Sequence, residues 1–171
     1  NIEVVDPCEA VYAANVVPDP TIASPGSWTH TNEGGDDVTF QNVTIATGAI
    51  TMTVDGSTRV IRESYSRAVN GLTDGVYRLT VEFGDIDPNL MHGGGNVTSI
   101  MIGSTSQPIS IGVVPANTSF STNLNVVGLS GTGDLVGVIM ERIDEGFCTG
   151  GEYIEVKSIY WQKVSGGTLV S

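Results

Sequence analysis

The chain is short of the basic residues on which several kinds of binding depend. It has only two lysines, Lys157 and Lys163, and its 7 basic residues face 19 acidic ones, which gives a net charge of −12. Nucleic-acid backbones and anionic membrane surfaces are bound through clusters of basic side chains, so neither is an expected partner. Solubility in a salty medium explains the acidity, and cation binding is the alternative.

Cysteine and histidine are equally scarce. Cys8 and Cys148 are the only cysteines, and only His30 and His92 could add ligands, so a four-ligand thiolate zinc site is excluded. A disulfide between Cys8 and Cys148 would stabilise the fold by about 4–5 kcal/mol and would imply an oxidising location. Two buried free thiols are the alternative.

The motifs of membrane insertion and of catalysis are missing too. No apolar run approaches the roughly 20 residues that a membrane helix needs. There is no Gly-x-Ser-x-Gly elbow and no metal-binding pair of histidines. The acids Glu141, Asp144 and Glu145 lie close together, but in so acidic a chain such groups arise by chance. We therefore predict that the protein is not an enzyme.

What the chain does contain is a series of alternating apolar and polar residues. The clearest run follows the turn signal Asp74-Gly75. It puts Tyr77, Leu79, Val81 and Phe83 on a buried face, and Arg78, Thr80 and Glu82 on the face towards water. Further runs predict about nine or ten strands in all, at 38–45, 50–54, 60–69, 97–102, 109–113, 120–126, 135–143 and 153–161. No useful helical period appears, so we predict an all-β fold. Its architecture is an antiparallel two-sheet β-sandwich, best described as a jelly roll.

The chain divides into three parts. Residues 1–27 contain four prolines and no long period, which predicts an extended arm or a first strand, packed on its own domain or on a neighbouring subunit. Residues 28–164 form the predicted sandwich. Residues 165–171 are small and polar, which predicts a flexible tail.

Three segments in order resemble the carbohydrate-binding-module or galactose-binding-like jelly rolls, a fold also used in bacteriophage virion surface proteins. They are Ser27-Trp28-Thr29 with Gly34-Gly35, the stretch 65–79, and the strand 153–160. The resemblance spans about residues 27–164 and implies a jelly-roll sandwich whose last strand returns beside the first. It also implies a structural calcium where those strands meet, with Glu155 at the position of the acidic ligand.

A second pattern also suggests calcium. Asp85, Asp87 and Asn89 carry oxygen ligands at alternate positions, as at the start of a calcium loop. The pattern breaks at Leu90 and Asn96, where such a loop needs Gly and a bidentate Glu. With Glu155 these residues form the predicted metal set, and a strand exit rich in turn-forming residues is the alternative.

Aromatic residues, which stack on sugar rings, make up only 6% of the chain. Trp28 follows a Pro-Gly turn and precedes polar residues, which predicts an exposed ring and a ligand contact. Tyr12 is the second predicted ligand contact, and Tyr160 and Trp161 are further candidates. Because tryptophan is often found in protein cores, a core position for Trp28 is the alternative.

Two classes of function follow. The first is a non-catalytic extracellular structural or adhesion module on a virion surface, such as a phage head-decoration, fibre or tail component. It would form homo-oligomers and bind other particle proteins or cell-surface glycans. The second is a secreted, lectin-like carbohydrate-binding module that recognises a polysaccharide. The first follows from the family resemblance and from the proline-rich arm.

Overall fold

The fold is all-β. The computed structural model describes residues 10–32, 42–46, 48–53, 61–88, 98–104, 107–112, 115–142 and 153–165. Within these residues it has eleven strands: β1 (Val11–Asn15), β2 (Thr29–Asn32), β3 (Asn42–Ala46), β4 (Ala49–Thr53), β5 (Ile61–Val69), β6 (Gly75–Ile86), β7 (Thr98–Ser104), β8 (Gln107–Gly112), β9 (Ser119–Val126), β10 (Asp134–Arg142) and β11 (Tyr153–Ser165). No helix in the described part has the length and hydropathy that crossing a bilayer requires.

The strands form two antiparallel sheets. The first sheet has the order β3-β4-β11-β6-β9, with β1 also paired to β11. The second sheet has the order β2-β5-β10-β7-β8. Every strand pair is antiparallel. This is the predicted two-sheet β-sandwich of the jelly-roll type. The last strand pairs with β1, which belongs to the N-terminal segment 1–27, whereas β2, the first strand after that segment, lies in the other sheet.

Strand β6 shows how sequence alternation becomes a layered fold. Tyr77, Leu79, Val81 and Phe83 are each at most 2% exposed, whereas the residues between them are exposed or half-buried. Since successive strand residues point to opposite faces, one side of β6 enters the core and the other faces outward. The prediction made for this strand is confirmed.

The core lies between the two sheets. The first sheet contributes Trp161, whose ring centroid is 5.6 Å from that of Tyr77 in a tilted arrangement. The second sheet contributes Tyr65, Val136 and Val138, all nearly inaccessible to water. Full burial of such side chains stabilises a fold by about 1.5–3 kcal/mol each, so this layer holds the two sheets together.

The described part of the N-terminal segment, residues 10–27, packs on its own domain. Val17 and Ile22 are buried, and the backbone N–H of Ile159 in β11 donates to the carbonyl of Pro20 at 2.9 Å. Ile22 has a φ of 57°, which is unusual for a β-branched residue. The Asp19 carboxylate accepts hydrogen bonds from the two backbone N–H groups that follow Ile22, at 2.8 Å each, and this stabilises the strained turn.

Two aspartates fasten the loops at one end of the sandwich. Backbone hydrogen bonds from Leu129 and then Gly128 lower the pKa of Asp74. The pKa of Asp134 is also lowered, most strongly by the hydrogen bond that its carboxylate accepts from the backbone N–H of Ser130 at 2.8 Å. Hydrogen bonds from backbone N–H groups stabilise the charged form of a carboxylate. Both aspartates therefore bind these loops in their anionic form.

Candidate functional site

The outer side of the first sheet carries a polar surface built by three adjacent strands. Strands β9, β6 and β11 lie side by side in that order, with β6 in the middle. The residues of β6 that alternate with its core side chains point away from the core, and their partners on both neighbours do the same. We call this surface the polar face; it consists of Ser119, Ser121, Asn123, Arg78, Thr80, Glu82, Tyr160 and Gln162. Ser158, which pairs with Glu82, is 1% exposed and supports the face from within.

Cross-strand hydrogen bonds order the middle of the polar face. The hydroxyl oxygens of Thr80 and Ser121 lie 2.7 Å apart across the β6–β9 pair. On the other side of β6 the Ser158 hydroxyl donates to the carboxylate of Glu82 at 2.5 Å. Directly opposite side chains in an antiparallel pair are close enough for such bonds, so the register itself positions these groups.

Tyr12 lies at one end of the polar face, on the neighbouring strand β1. Its side chain is exposed, and the guanidinium carbon of Arg78 lies 4.8 Å from its ring centroid, within range of a cation–π contact. The Gln162 amide of β11 donates to the carbonyl of Ala13 at 3.2 Å and ties β1 to the face. A pocket of about 300 Å³ opens here, lined by Tyr12, Arg78, Ser121, Thr122 and Asn123.

A second pocket opens further along β6. It has a volume of about 320 Å³ and is lined by Glu82, Phe83, Asn117, Thr118, Ser119 and Lys157. Asn117 sits in a turn with a φ of 54°, and its backbone N–H donates to the carbonyl of Gly84 at 2.7 Å. Arg78 and Glu82 are four residues apart on β6, which separates them by about 13 Å. The lining residues Ser121 and Ser119 are only two residues apart on β9. The polar face therefore carries two neighbouring open pockets.

The structure corrects the expectation that Trp28 is exposed. The residue is 4% exposed and belongs to the core. A ring in that position offers no open face to a sugar, so the predicted ligand contact loses its basis there. Trp161 is likewise buried, whereas Tyr12 is 39% exposed and Tyr160 is half-buried on the polar face. The burial of Trp28 depends on strands that are distant in sequence, and its polar neighbours gave the opposite signal.

Two of the predicted metal ligands do come together. The backbone N–H of Asp85 donates to the Glu155 carboxylate at 3.1 Å, and Lys157 approaches that carboxylate at 3.8 Å. The Asp85 carboxylate accepts the Tyr153 hydroxyl hydrogen at 2.5 Å, and this hydrogen bond raises the pKa of Tyr153. Both carboxylates are thus already engaged by protein groups.

The wider calcium prediction has less to support it. No group of three metal-ligating acids, histidines or cysteines is found in the described ranges. Asp87 lies at the strand exit, where its backbone N–H donates to the carbonyl of Tyr153, and Asn89 lies outside the described residues. Glu155 pairs with Thr51 of β4, not with the first strand. The metal set therefore stays a prediction.

The predicted disulfide lies outside the part of the chain that the structure describes. Cys8 and Cys148 both lie outside the described residues, and so does His92. The pairing of the two cysteines stays a prediction from the sequence.

The fold has counterparts among solved structures, although no protein-family model and no curated protein matches the sequence. A family 61 carbohydrate-binding module in complex with β-1,4-galactotriose is 10% identical with a TM-score of 0.48, and the match covers 88% of this chain and 99% of that one. A family 15 xylan-binding module is 9% identical with a TM-score of 0.46, over 94% of this chain and 99% of that one.

A third similar structure is the enzymatically active domain of tailspike protein 4 of bacteriophage CBA120. It is 14% identical with a TM-score of 0.43, and the match covers 88% of this chain but only 21% of that one. All three similarities concern the fold alone.

Proposed function

We propose that the protein is an extracellular binding module that holds an extended carbohydrate chain on the polar face. The observation that carries this proposal is the combination of an exposed aromatic ring with rows of hydroxyl and amide groups beside two pockets. Sugars present many hydroxyl groups that both donate and accept hydrogen bonds, which suits serine, threonine, asparagine and glutamine side chains. Their apolar ring faces stack on aromatic side chains.

The shape of the surface favours a chain over a single sugar. Arg78 in the first pocket and Glu82 in the second lie about 13 Å apart along β6. Ser121 of the hydrogen-bonded Thr80–Ser121 pair lines the first pocket. A ligand that reaches from Tyr12 to Glu82 would contact three strands at once. An open, rigid sheet surface also requires little reorganisation on binding, which reduces the cost of association.

The first test is the replacement of Tyr12. After a glycan array has identified a ligand, we expect Tyr12→Ala to weaken its binding about three- to tenfold, because a stacking ring is lost. Tyr12→Phe should retain most of the affinity, since the ring remains. The measurement is isothermal titration calorimetry with the best-binding glycan of the array.

A matched control is available on the other sheet. Leu135 on β10 is 40% exposed, about the same as Tyr12 at 39%, so Leu135→Ala removes a similarly exposed apolar side chain away from the polar face. It should leave the affinity unchanged. If no glycan on the array binds the wild-type protein, the proposed function is wrong. Equal effects of Tyr12→Ala and Leu135→Ala would remove Tyr12 from the site.

A particle-surface role, as in a virion, is a second proposal. The observation that favours it is the outer strand β1, on which Val11 is 54% exposed and lies next to Tyr12. Exposed apolar residues on such a strand can pair with another chain. Light scattering coupled to size exclusion is expected to show a trimer or larger assembly that Val11→Lys reduces to monomers. A strictly monomeric wild-type protein at high concentration would remove this proposal and leave the glycan-binding module.

A further inference from the structure

Arg78 differs in its contacts from the other basic side chains that the structure describes. The other basic side chains that the structure describes are engaged by oxygen atoms. Arg67 contacts Asp19 at 3.5 Å, Lys157 contacts Glu155 at 3.8 Å, and Lys163 donates to the hydroxyl of Thr73 at 2.5 Å. Arg78 has no carboxylate partner among the described residues; its contact is the ring of Tyr12. A positive charge is therefore left available in the pocket beside Tyr12.

We propose that Arg78 determines specificity by binding an acidic group of the carbohydrate, either a uronate carboxylate or a sulfate. The guanidinium group is planar and carries several N–H donors in a fixed fork, which matches the oxygens of such anions. The Tyr12 ring covers one side of this group and restricts its orientation. This inference rests on the proposed function, because it assigns the ligand class of the same polar face.

The rest of the face indicates how the ligand lies. Glu82 is acidic and lines the second pocket, about 13 Å from Arg78 along β6. Lys157 also lines this pocket, but it is paired with the Glu155 carboxylate at 3.8 Å. The charge of Glu82 would therefore repel a second acidic group of the ligand. The chain as a whole carries a net charge of −12, which opposes any densely charged polyanion. The preferred ligand therefore places an acidic group at Arg78 and a neutral stretch towards Glu82, so its acidic groups are sparse.

The test compares an acidic glycan with its own neutral derivative. A glycan array with neutral, uronate-bearing and sulfated members identifies the best acidic ligand and distinguishes carboxylate from sulfate. Calorimetry then measures the binding of that glycan and of the same glycan after carboxyl reduction or desulfation. We expect Arg78→Gln to weaken binding of the acidic form about 10- to 100-fold. Binding of the neutral derivative should weaken far less, so the preference of the protein for the acidic form over the neutral one should fall.

Two further measurements keep the test decisive. Arg67→Gln removes the same charge from the second sheet and should retain the affinity of the wild-type protein. With the wild-type protein, added sodium chloride should weaken binding of the acidic glycan and leave the neutral derivative unaffected, because exposed charge pairs are screened by salt.

The outcomes separate the two proposals. Equal affinity of the wild-type protein for the acidic glycan and for its neutral derivative would overturn the role of Arg78, and glycan binding itself would stand. Array binding restricted to neutral glycans would have the same meaning. A protein that binds no glycan at all would overturn the proposed function, and the inference about Arg78 would fall with it.

Discussion

Replacement of Trp28 by alanine is expected to lower the free energy of unfolding by about 3–5 kcal/mol. The side chain is 4% exposed within the core, and removal of so large a ring leaves a cavity that the surrounding strands can fill only in part. The affinity of the folded protein for a glycan should not change, because Trp28 lies in the core and not on the polar face. Urea denaturation gives the stability, and calorimetry gives the affinity.

Trp28→Phe is the matched variant for this experiment. The indole Nε1 of Trp28 is buried without a hydrogen-bond partner among the described residues. Phenylalanine keeps a buried ring and removes that unsatisfied donor, so we expect a loss of about 1 kcal/mol or less. If Trp28→Ala instead abolished glycan binding while stability stayed the same, the exposed position predicted from the sequence would be correct and the buried one wrong.

Replacement of Gly137 by alanine is expected to destabilise the second sheet by about 3 kcal/mol. A Cβ at this position would lie 1.9 Å from the carbonyl oxygen of Tyr65 and 2.9 Å from the Cα of Ser66. Both are backbone atoms of β5, which pairs with β10 along its whole length, so neither can move without separating the strands. The added methyl group therefore disrupts the pairing of β5 with β10. That pairing holds Val136 and Val138 of β10 in the core.

Gly26 provides the control for this substitution. Nothing lies within 4 Å of the position that its Cβ would take. Gly26→Ala should thus leave stability unchanged or raise it slightly, because alanine restricts the unfolded chain. Thermal and urea unfolding of both variants would check the comparison. Equal stabilities for Gly137→Ala and Gly26→Ala would show that β5 and β10 do not approach each other as closely as described here.

The strands were predictable because their signal is local. Alternation with period two follows from backbone geometry, so the inward residues of β6 could be assigned from ten neighbouring positions. The same holds for β5, predicted at 60–69 and found at Ile61–Val69. Strand ends were less accurate: β11 was predicted to stop at 161 but continues to Ser165. Its extra residues are held by pairing with β1, which no local pattern reveals.

The site was predictable only in part. Tyr12 was named from its residue type, and the structure adds its exposure and its contact with Arg78. Arg78 was assigned to the outer side of β6 by alternation, but nothing in the sequence indicated its contact with Tyr12 or its place in the pocket lining. The available signal was its charge in a chain with few basic residues. Trp28 was misplaced because its neighbours in sequence are polar, whereas its neighbours in space are apolar.

The sequence by itself determined the all-β class, the alternation of buried and exposed residues and the excess of acidic over basic side chains. Each of these depends on composition or on near neighbours along the chain. Only the tertiary structure decided which outward-facing side chains of different strands lie next to each other. Tyr12 and Arg78 come together because β1 and β6 flank the same strand, β11, and that strand order is set by the packing of the whole core. Binding surfaces on a sheet are assembled from distant segments, so their composition depends on strand order rather than on any single stretch of sequence.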